Sequence, residues 1–290
     1  MSTSTKESGR IPASTENVPK DCTTNGTNPI TPGDVPIQML WIGPRLSKLQ
    51  HVCIESCVAQ GHPVHLYTYT DVRNVPDGVT IKDANTILPE SDIFTYPAHV
   101  GSGNSYAAFA NLFRYALLFE LGGWWLDTDV YLIRPLLHEA PYVFVREPGS
   151  REIVHNGVLR VPAKSTIMHR MFVEARSIRR TDLTWGRTGG MLLTTVLHHE
   201  PHLMRFVLPS TAFCPIHWNR VVRAIVDGGP LVLKPDTCGV HLFNEMWQRK
   251  GLDADADWPI YHTLARALRS QHEHEEQAFE TYHLRSTTRS

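Results

Sequence analysis

Two aspartates, Asp127 and Asp129, interrupt the otherwise apolar segment GGWWLDTDV at 122–130. Left unpaired in an apolar strand they would each cost several kcal/mol, so a bound cation is the simplest compensation. We predict a strand over 124–133, in which residues two apart project to the same face and can reach one ion. Mg²⁺ and Mn²⁺ take oxygen ligands and share their remaining positions with phosphate oxygens. The pair therefore predicts a site for a metal-bound diphosphate.

The Asp-x-Asp triplet alone is a weak signal. A chain of this length and aspartate content contains about one by chance, and a second acidic run, DADAD, stands at 253–257. That run resembles the start of a calcium-binding EF-hand loop, but Trp258 replaces the turn glycine and Leu264 the bidentate glutamate. We interpret 253–257 as a solvated acidic turn. The context of Asp127 and Asp129 is what distinguishes them.

The elements around this pair predict an α/β fold. A buried strand is expected at 37–42, a helix from the capping pair Ser47 and Gln50 to Gly61, and a second strand at 64–69. A strand–helix–strand order is typical of parallel strands joined by a right-handed crossover. A helix over 105–121 then ends at two glycines and leads directly into the aspartate strand. Further on we expect a strand at 142–145, a polar loop to 157, and helices at 167–178 and 189–198.

Composition limits the function classes. The formal net charge of -1 provides no basic field for nucleic acid or anionic lipid. The five cysteines form no dense framework, and Cys53 and Cys57 fit a helix core, so we expect reduced thiols and a cytoplasmic protein. No apolar run of about 18 residues is present, and we expect no transmembrane segment. Residues 1–34 are predicted to be a disordered tail, 35–270 one domain, and 271–290 a polar tail.

Two stretches, NLFRYALL at 111–118 and GGWWLDTDV at 122–130, strongly resemble the core of retaining DXD glycosyltransferases. That group includes bacterial capsular-polysaccharide transferases, yeast initiating α-mannosyltransferases and, more remotely, the glucosylating clostridial toxins. The resemblance extends from MLWIG at 39–43 to VHLFNEMW at 240–247. It implies a GT-A, Rossmann-like fold with a central, mostly parallel sheet flanked by helices. It also implies a nucleotide-sugar donor and a divalent ion, Mn²⁺ or Mg²⁺.

The resemblance further implies roles on the donor side of the site. Trp41 would stack on the nucleotide base, and Arg114 would hold donor sugar or phosphate. Both residues also have simpler interpretations, because Trp41 fits a core position and Arg114 could form an ion pair with Asp127.

The metal roles follow in the same way. Asp129 would be the direct ligand, while Asp127 would contact the ribose, or the metal through water. His241 would complete the shell from the C-terminal segment, with Asn244 as its substitute; a structural role for His241 stays open.

Three positions bear on which sugars the chain binds. Asn111 stands where the family usually has an aspartate that binds donor sugar hydroxyls, so the donor differs or activity is reduced. The loop WGRTGG at 185–190, expected near the acceptor, lacks the family's usual proline. The residues HNG at 155–157 are a candidate sugar-contacting turn.

The predicted function is transfer of a hexose, with retention, from UDP- or GDP-sugar to a carbohydrate acceptor, as in polysaccharide biosynthesis. One alternative is a secreted effector that glycosylates a host protein, suggested by the Ser/Thr-rich N-terminus. Another is a non-catalytic nucleotide-sugar-binding module, suggested by Asn111. The linkage and the oligomeric state are not specified by the sequence.

Overall fold

The computed structural model describes residues 35–101, 103–136, 140–228, 231 and 233–266. The predicted tails at 1–34 and 271–290 lie outside the described residues, as do 267–270.

Strands and α-helices are interspersed along the chain. The strands are β1 (Ile37–Trp41), β2 (Val64–Thr68), β3 (Val79–Asp83), β4 (Gly123–Leu126), β5 (Val130–Leu132), β6 (Val143–Arg146), β7 (Val154–Val161), β8 (Val207–Leu208) and β9 (Gly239–His241). The α-helices are α1 (Lys48–Ala59), α2 (Ala107–Leu121), α3 (Thr166–Ser177), α4 (Gly190–His198), α5 (Val221–Asp227) and α6 (Asn244–Arg249).

In the described part of the chain, seven strands form one sheet in the order β3-β2-β1-β4-β7-β6-β8, and β5 pairs with β9 in a second, small sheet. Neighbours β3, β2, β1 and β4 are parallel, β7 is antiparallel to β4 and β6, and β8 is parallel to β6. The sheet is therefore mostly parallel, which confirms the predicted α/β class. The carboxyl ends of β1 and β4 lie side by side, so the residues that follow them meet at one edge.

The central sheet is covered on both faces. Trp125 and Leu159 pack with α2, α3 and α4 on one face, whereas Trp124 and Leu126 pack with α1 on the other. Alternate residues of β4 thus point to opposite layers, and both tryptophans are almost fully buried. This two-sided burial explains why β4 is apolar throughout, and it fixes the position at which the chain leaves the sheet.

Helix α1 begins where expected, but the predicted capping box does not form. Ser47 occupies the N-cap position without accepting a backbone N–H, and its hydroxyl instead contacts the Gln50 side chain. Cys53 and Cys57 are buried, as a helix core requires. The acidic run at 253–257 exposes its aspartates, two of which pair with Arg45 and Lys48.

The prediction of one continuous strand over 124–133 is wrong. Strand β4 ends at Leu126, the chain turns through 127–129, and β5 begins at Val130 in the other sheet. The turn is closed by the Val130 N–H, which donates to the Asp127 carbonyl at 3.0 Å. The polar loop expected up to 157 is also wrong, because His155, Asn156 and Gly157 lie within β7.

Among the described residues, every helix is too short or too polar to cross a lipid bilayer.

Candidate metal and donor site

Asp127 is fixed by three hydrogen bonds at the end of β4. The Arg114 Nη2 atom donates to its Oδ1 at 2.5 Å, the Trp125 Nε1–H donates to the same oxygen at 2.8 Å, and its backbone N–H donates to the Gly157 carbonyl at 2.8 Å. Arg114 comes from α2 and also donates through Nη1 to the Asn156 carbonyl at 2.5 Å. The guanidinium fork thus ties α2, the aspartate turn and β7 together. The simpler interpretation of Arg114, an ion pair with Asp127, is realised here.

Asp129 is fixed from the C-terminal part of the chain. Pairing of β9 with β5 sets His241 opposite Val130, and the His241 Nε2 atom lies 3.1 Å from the Asp129 Oδ1 atom. The Asn244 backbone N–H donates to Oδ2 at 2.6 Å. Phe243 adopts a left-handed conformation, with φ of 50°, to turn the chain into α6. Asn244 therefore contacts Asp129 through its backbone amide.

The two carboxylates differ in their electrostatics. Burial raises the pKa of Asp127, an effect that outweighs the nearby Arg114 guanidinium. Burial acts in the same direction on Asp129, but the charge and hydrogen bond of His241 hold its pKa at about 2. Burial alone would lower the pKa of His241; the Asp129 carboxylate raises it well above the usual range. Without a metal, Asp129 and His241 thus form a buried ion pair.

Asp127, Asp129 and His241 each offer a ligand atom, and these atoms lie within 4.8 Å of one another. Two carboxylates and an imidazole suit Mn²⁺ or Mg²⁺, which favour oxygen ligands and tolerate nitrogen to differing degrees. Space beside the Asp127 carboxylate depends on Gly157, because a Cβ atom there would lie 2.6 Å from its Oδ2 atom. The donor set and this cradle fit a divalent ion. The Asp127 side chain is 28% exposed, so the site opens to solvent.

Asn111 lies in a buried polar network beside Arg114. Its Oδ1 atom accepts from the Asn156 amide at 2.8 Å, and its Nδ2 atom donates to the Thr188 hydroxyl at 3.0 Å. The Tyr115 hydroxyl donates to the Thr188 carbonyl and accepts from Asn156. The network joins α2, β7 and the loop before α4. Both polar atoms of the Asn111 amide are thus engaged inside the protein.

Gly189 brings the loop at 185–190 onto this network. A Cβ atom at Gly189 would lie 3.2 Å from polar atoms of both Asn111 and Asn156, a closer approach than most side chains make. The loop expected near the acceptor therefore packs directly on the residues that adjoin Arg114.

Trp41 ends β1 beside the end of β4. Its ring is half-buried and packs on the core that contains Trp124, and its Nε1 atom is buried without a hydrogen-bond partner among the described residues. Trp41 thus packs partly in the core, and its stacking on a nucleotide base stays a prediction.

Two residues near the site were not anticipated in this role. His155 and His241 meet edge to face with ring centroids 4.6 Å apart, and Cys214 lies beside them. The sequence singled out His155 only as part of a sugar-contacting turn. Cys214 carries no local signal, because it follows a short 3₁₀ turn far from the other site residues in the chain.

Comparison with known proteins matches the chain to a family model, to a curated protein and to solved structures. Residues 48–146 match the family model described as a glycosyltransferase sugar-binding region containing a DXD motif. That range includes Asp127 and Asp129, the turn that closes β4. This part of the chain is therefore similar to the sugar-binding region of DXD glycosyltransferases. Within this region also lie Asn111 and Arg114, whereas Trp41 and His241 lie outside it.

The two other matches are more distant. The mouse (Mus musculus) lactosylceramide 4-alpha-galactosyltransferase is 27% identical over 172 residues, which is 55% of this chain and 47% of that protein. The chain thus spans about half the length of this curated relative. The solved structure of the PaToxG glycosyltransferase is 16% identical in sequence and superposes with a TM-score of 0.43. The aligned part is 59% of this chain and 71% of the PaToxG chain.

Proposed function

We propose that the chain is a metal-dependent, retaining glycosyltransferase that moves a hexose from a UDP- or GDP-sugar to a carbohydrate acceptor. The observation that carries this proposal is the convergence of Asp127, Asp129 and His241 at the end of β4, within the DXD glycosyltransferase region. The names of the similar proteins support the same class of reaction. We further propose one glycosyltransferase domain over 35–270 and a cytoplasmic location.

The metal ion, Mn²⁺ or Mg²⁺, would be held by Asp129, His241 and Asp127, with Asn244 contributing the N–H that orients Asp129. When bound, it supplies Lewis-acid stabilisation of the charge that develops on a diphosphate leaving group. The ion pair of Asp129 with His241 must open to admit it. Because Nε2 of His241 carries a proton in that pair, binding through this nitrogen releases a proton.

Arg114 is proposed to hold the donor. Its Nη atoms contact Asp127 and the Asn156 carbonyl, but its Nε atom is buried with no hydrogen-bond partner among the described residues. A buried N–H that lacks a partner is costly, and a donor hydroxyl or phosphate oxygen would satisfy it. The guanidinium would also add positive charge beside a diphosphate. Trp41, at the adjacent strand end, is proposed to stack on the base.

Retention is proposed to proceed without a protein nucleophile at the two aspartates. The Asp127 carboxylate is engaged by Arg114 and Trp125, and the Asp129 carboxylate by His241 and Asn244. In this proposal both carboxylates serve the metal ion, so neither is assigned as a nucleophile. Front-face attack, in which the leaving phosphate assists the acceptor hydroxyl, is the alternative that requires no such nucleophile. Asn111 acts in this account through Asn156 and Thr188, as a positioning residue for Arg114.

Turnover tests the proposal. The full chain is incubated with Mn²⁺ and a panel of UDP- and GDP-hexoses, with and without oligosaccharide acceptors, and release of the free nucleotide is measured. Asp129→Asn is expected to lower the rate by about 100-fold or more, because it removes a ligand charge at the leaving group. Asp253→Asn, in the exposed second triplet, is the matched control and is expected to retain the rate.

Two outcomes would contradict the proposal of catalysis at this site. If donors bind but none is hydrolysed or transferred, the chain is a nucleotide-sugar-binding module. If the rate of Asp129→Asn equals that of the wild type, catalysis does not pass through this site. Transfer to a protein hydroxyl, without transfer to any carbohydrate, would instead support the alternative in which the chain is an effector that glycosylates a protein.

A further inference from the structure

A second group of side chains that carry metal-ligand atoms shares His241 with the aspartate site. His155, Cys214 and His241 each offer a ligand atom, and these atoms lie within 4.8 Å of one another. The exposed fractions of the three residues are 8%, 1% and 5%. Thiolate and imidazole are soft and borderline ligands, which favour Zn²⁺ over Mg²⁺ or Mn²⁺. The chemistry of this set thus differs from that of the aspartate pair.

Backbone pairing, rather than chance packing, brings the three side chains together. The His241 N–H donates to the Phe213 carbonyl at 2.7 Å, which puts Cys214 next to the His241 ring. His155 contacts that ring edge to face from β7. Strands β7 and β9 and the segment after the 3₁₀ turn at Ser210–Ala212 therefore each fix one member.

His241 has one ring nitrogen to spare for this set. Its Nε2 atom faces Asp129, whereas its Nδ1 atom is buried and makes no hydrogen bond of ordinary geometry among the described residues. The ring also interacts with the side chain of Cys214. A metal on Nδ1 would satisfy that buried atom. It would leave Nε2–H donating to the Asp129 carboxylate, an arrangement that orients histidine ligands in many zinc sites.

We propose that His155, Cys214 and His241 form a zinc site that competes with the aspartate site for His241. Zinc would be bound by the Cys214 thiolate and one nitrogen of each histidine, with water as the fourth ligand, and the thiol proton would be released to solvent. Ligation of His155 gives up the hydrogen bond that its Nδ1 now accepts from the Gly157 N–H at 3.0 Å. The ion would enter past Asp127, whose side chain is partly exposed.

Competition follows from the shared ring. With zinc on Nδ1, the Nε2 atom keeps its proton and its bond to Asp129, so His241 cannot complete the shell of a Mn²⁺ ion. Zinc is therefore an inhibitor that Mn²⁺ partly reverses. This consequence rests on the proposed function, whereas the zinc site itself does not.

Cobalt spectroscopy tests the site independently of turnover. Co²⁺ replaces Zn²⁺ in such sites, and a cobalt–thiolate bond gives a near-ultraviolet charge-transfer band. Titration of the full chain with Co²⁺ is expected to produce this band at one equivalent, and Zn²⁺ is expected to remove it. Cys214→Ser should lack the band. Cys238→Ser, which changes another buried cysteine, and Asp127→Asn should keep it.

Several results would overturn the proposal. They are absence of the band in the folded wild type, its survival in Cys214→Ser, or its loss in either control variant. Thermal unfolding checks that each variant is folded. If Cys214→Ser does not fold, His155→Phe serves instead, because it keeps an aromatic ring and should weaken Co²⁺ binding at least tenfold; undiminished binding would contradict the site.

The inhibitory consequence has its own readout. If donor turnover is observed, Zn²⁺ should inhibit the wild type at a concentration at least tenfold lower than it inhibits Cys214→Ser or His155→Phe. Equal sensitivity would reject the competition even where the cobalt band is present. A cobalt band without any turnover would leave the zinc site standing and reject the proposed function alone.

Discussion

At the scale of single residues, two neighbouring carboxylates in the site have different hydrogen-bond partners. Asp127 is held by Arg114 and Trp125 at the end of a sheet strand, and Asp129 by His241 and Asn244 from the far end of the chain. Each carboxylate has enough donors to be stable without metal, yet each keeps lone pairs for an ion. In the metal-free protein, the His241 side chain supplies the positive charge that offsets the Asp129 carboxylate.

The ion pair of Asp129 with His241 predicts a pH dependence for the metal-free protein. Because the pKa of His241 is raised in the folded state, its contribution to stability is complete below about pH 6.5, the unfolded value, and is lost as pH rises through the folded pKa. The low pKa of Asp129 adds a loss as pH falls from about 4, the unfolded value, toward about 2.

Urea unfolding in EDTA checks this dependence. The wild type should exceed His241→Asn in unfolding free energy between about pH 4 and 6.5. The difference should shrink by about 1.4 kcal/mol per pH unit above pH 6.5, until the folded pKa of His241 is passed. His262→Asn, which changes an exposed ion pair, is the control variant. A difference that stays constant from pH 5 to pH 9 would contradict the ion pair.

At the scale of elements, much of the arrangement was predictable from local pattern. The helix before the glycine pair, the strand after it and the adjacent first strand follow from apolar periodicity and turn residues. The break at Asp127 was not, because Val130–Leu132 is as apolar as a continuing strand. The strand breaks because its pairing partner changes. Asp127 still bonds to Gly157 on β7, whereas β5 pairs with β9, which lies more than 100 residues away in the chain.

The same limit applies to the partners of the aspartates. His241 and Arg114 were reached through motif resemblance, whereas Cys214 and the placement of His155 in β7 depend on long-range pairing that no local window contains. The sequence alone shows that Asn111 replaces the family's usual aspartate, but its hydrogen bonds to Asn156 and Thr188 can be seen only in the tertiary structure.

The turn between α2 and β4 gives a prediction for an element boundary. Gly122 has φ of 63°, and a Cβ atom there would lie 2.3 Å from the Ala163 backbone nitrogen. Gly251 also has φ of 63°, but nothing lies within 4 Å of its Cβ position. Gly251→Ala should therefore cost only backbone strain, about 1 kcal/mol, whereas Gly122→Ala should cost at least about 2 kcal/mol more.

Urea midpoints of the two glycine variants and the wild type measure this difference. Equal destabilisation would show that the contact with Ala163 is relieved by a small shift of the chain. The aspartate turn would then not depend on that close approach.

At the scale of the whole molecule, the chain brings two distant parts of its sequence to one edge of a mostly parallel sheet. The stretch 48–146, which matches the glycosyltransferase family model, provides Arg114, Asp127 and Asp129, and the segment after β8 provides His241. A fragment limited to the matched region would thus lack His241, which we propose as a metal ligand. We propose that these two parts of the chain form one divalent-ion site, at which a nucleoside diphosphate binds.

Calorimetric titration of UDP and GDP into the full chain, with Mn²⁺ or with EDTA, tests that claim most directly. At least one nucleotide should bind ten times or more tightly with Mn²⁺. Asp129→Asn should abolish that gain, while Asp253→Asn should preserve it. Equal nucleotide binding in Mn²⁺ and EDTA, or a full manganese gain in Asp129→Asn, would contradict the account.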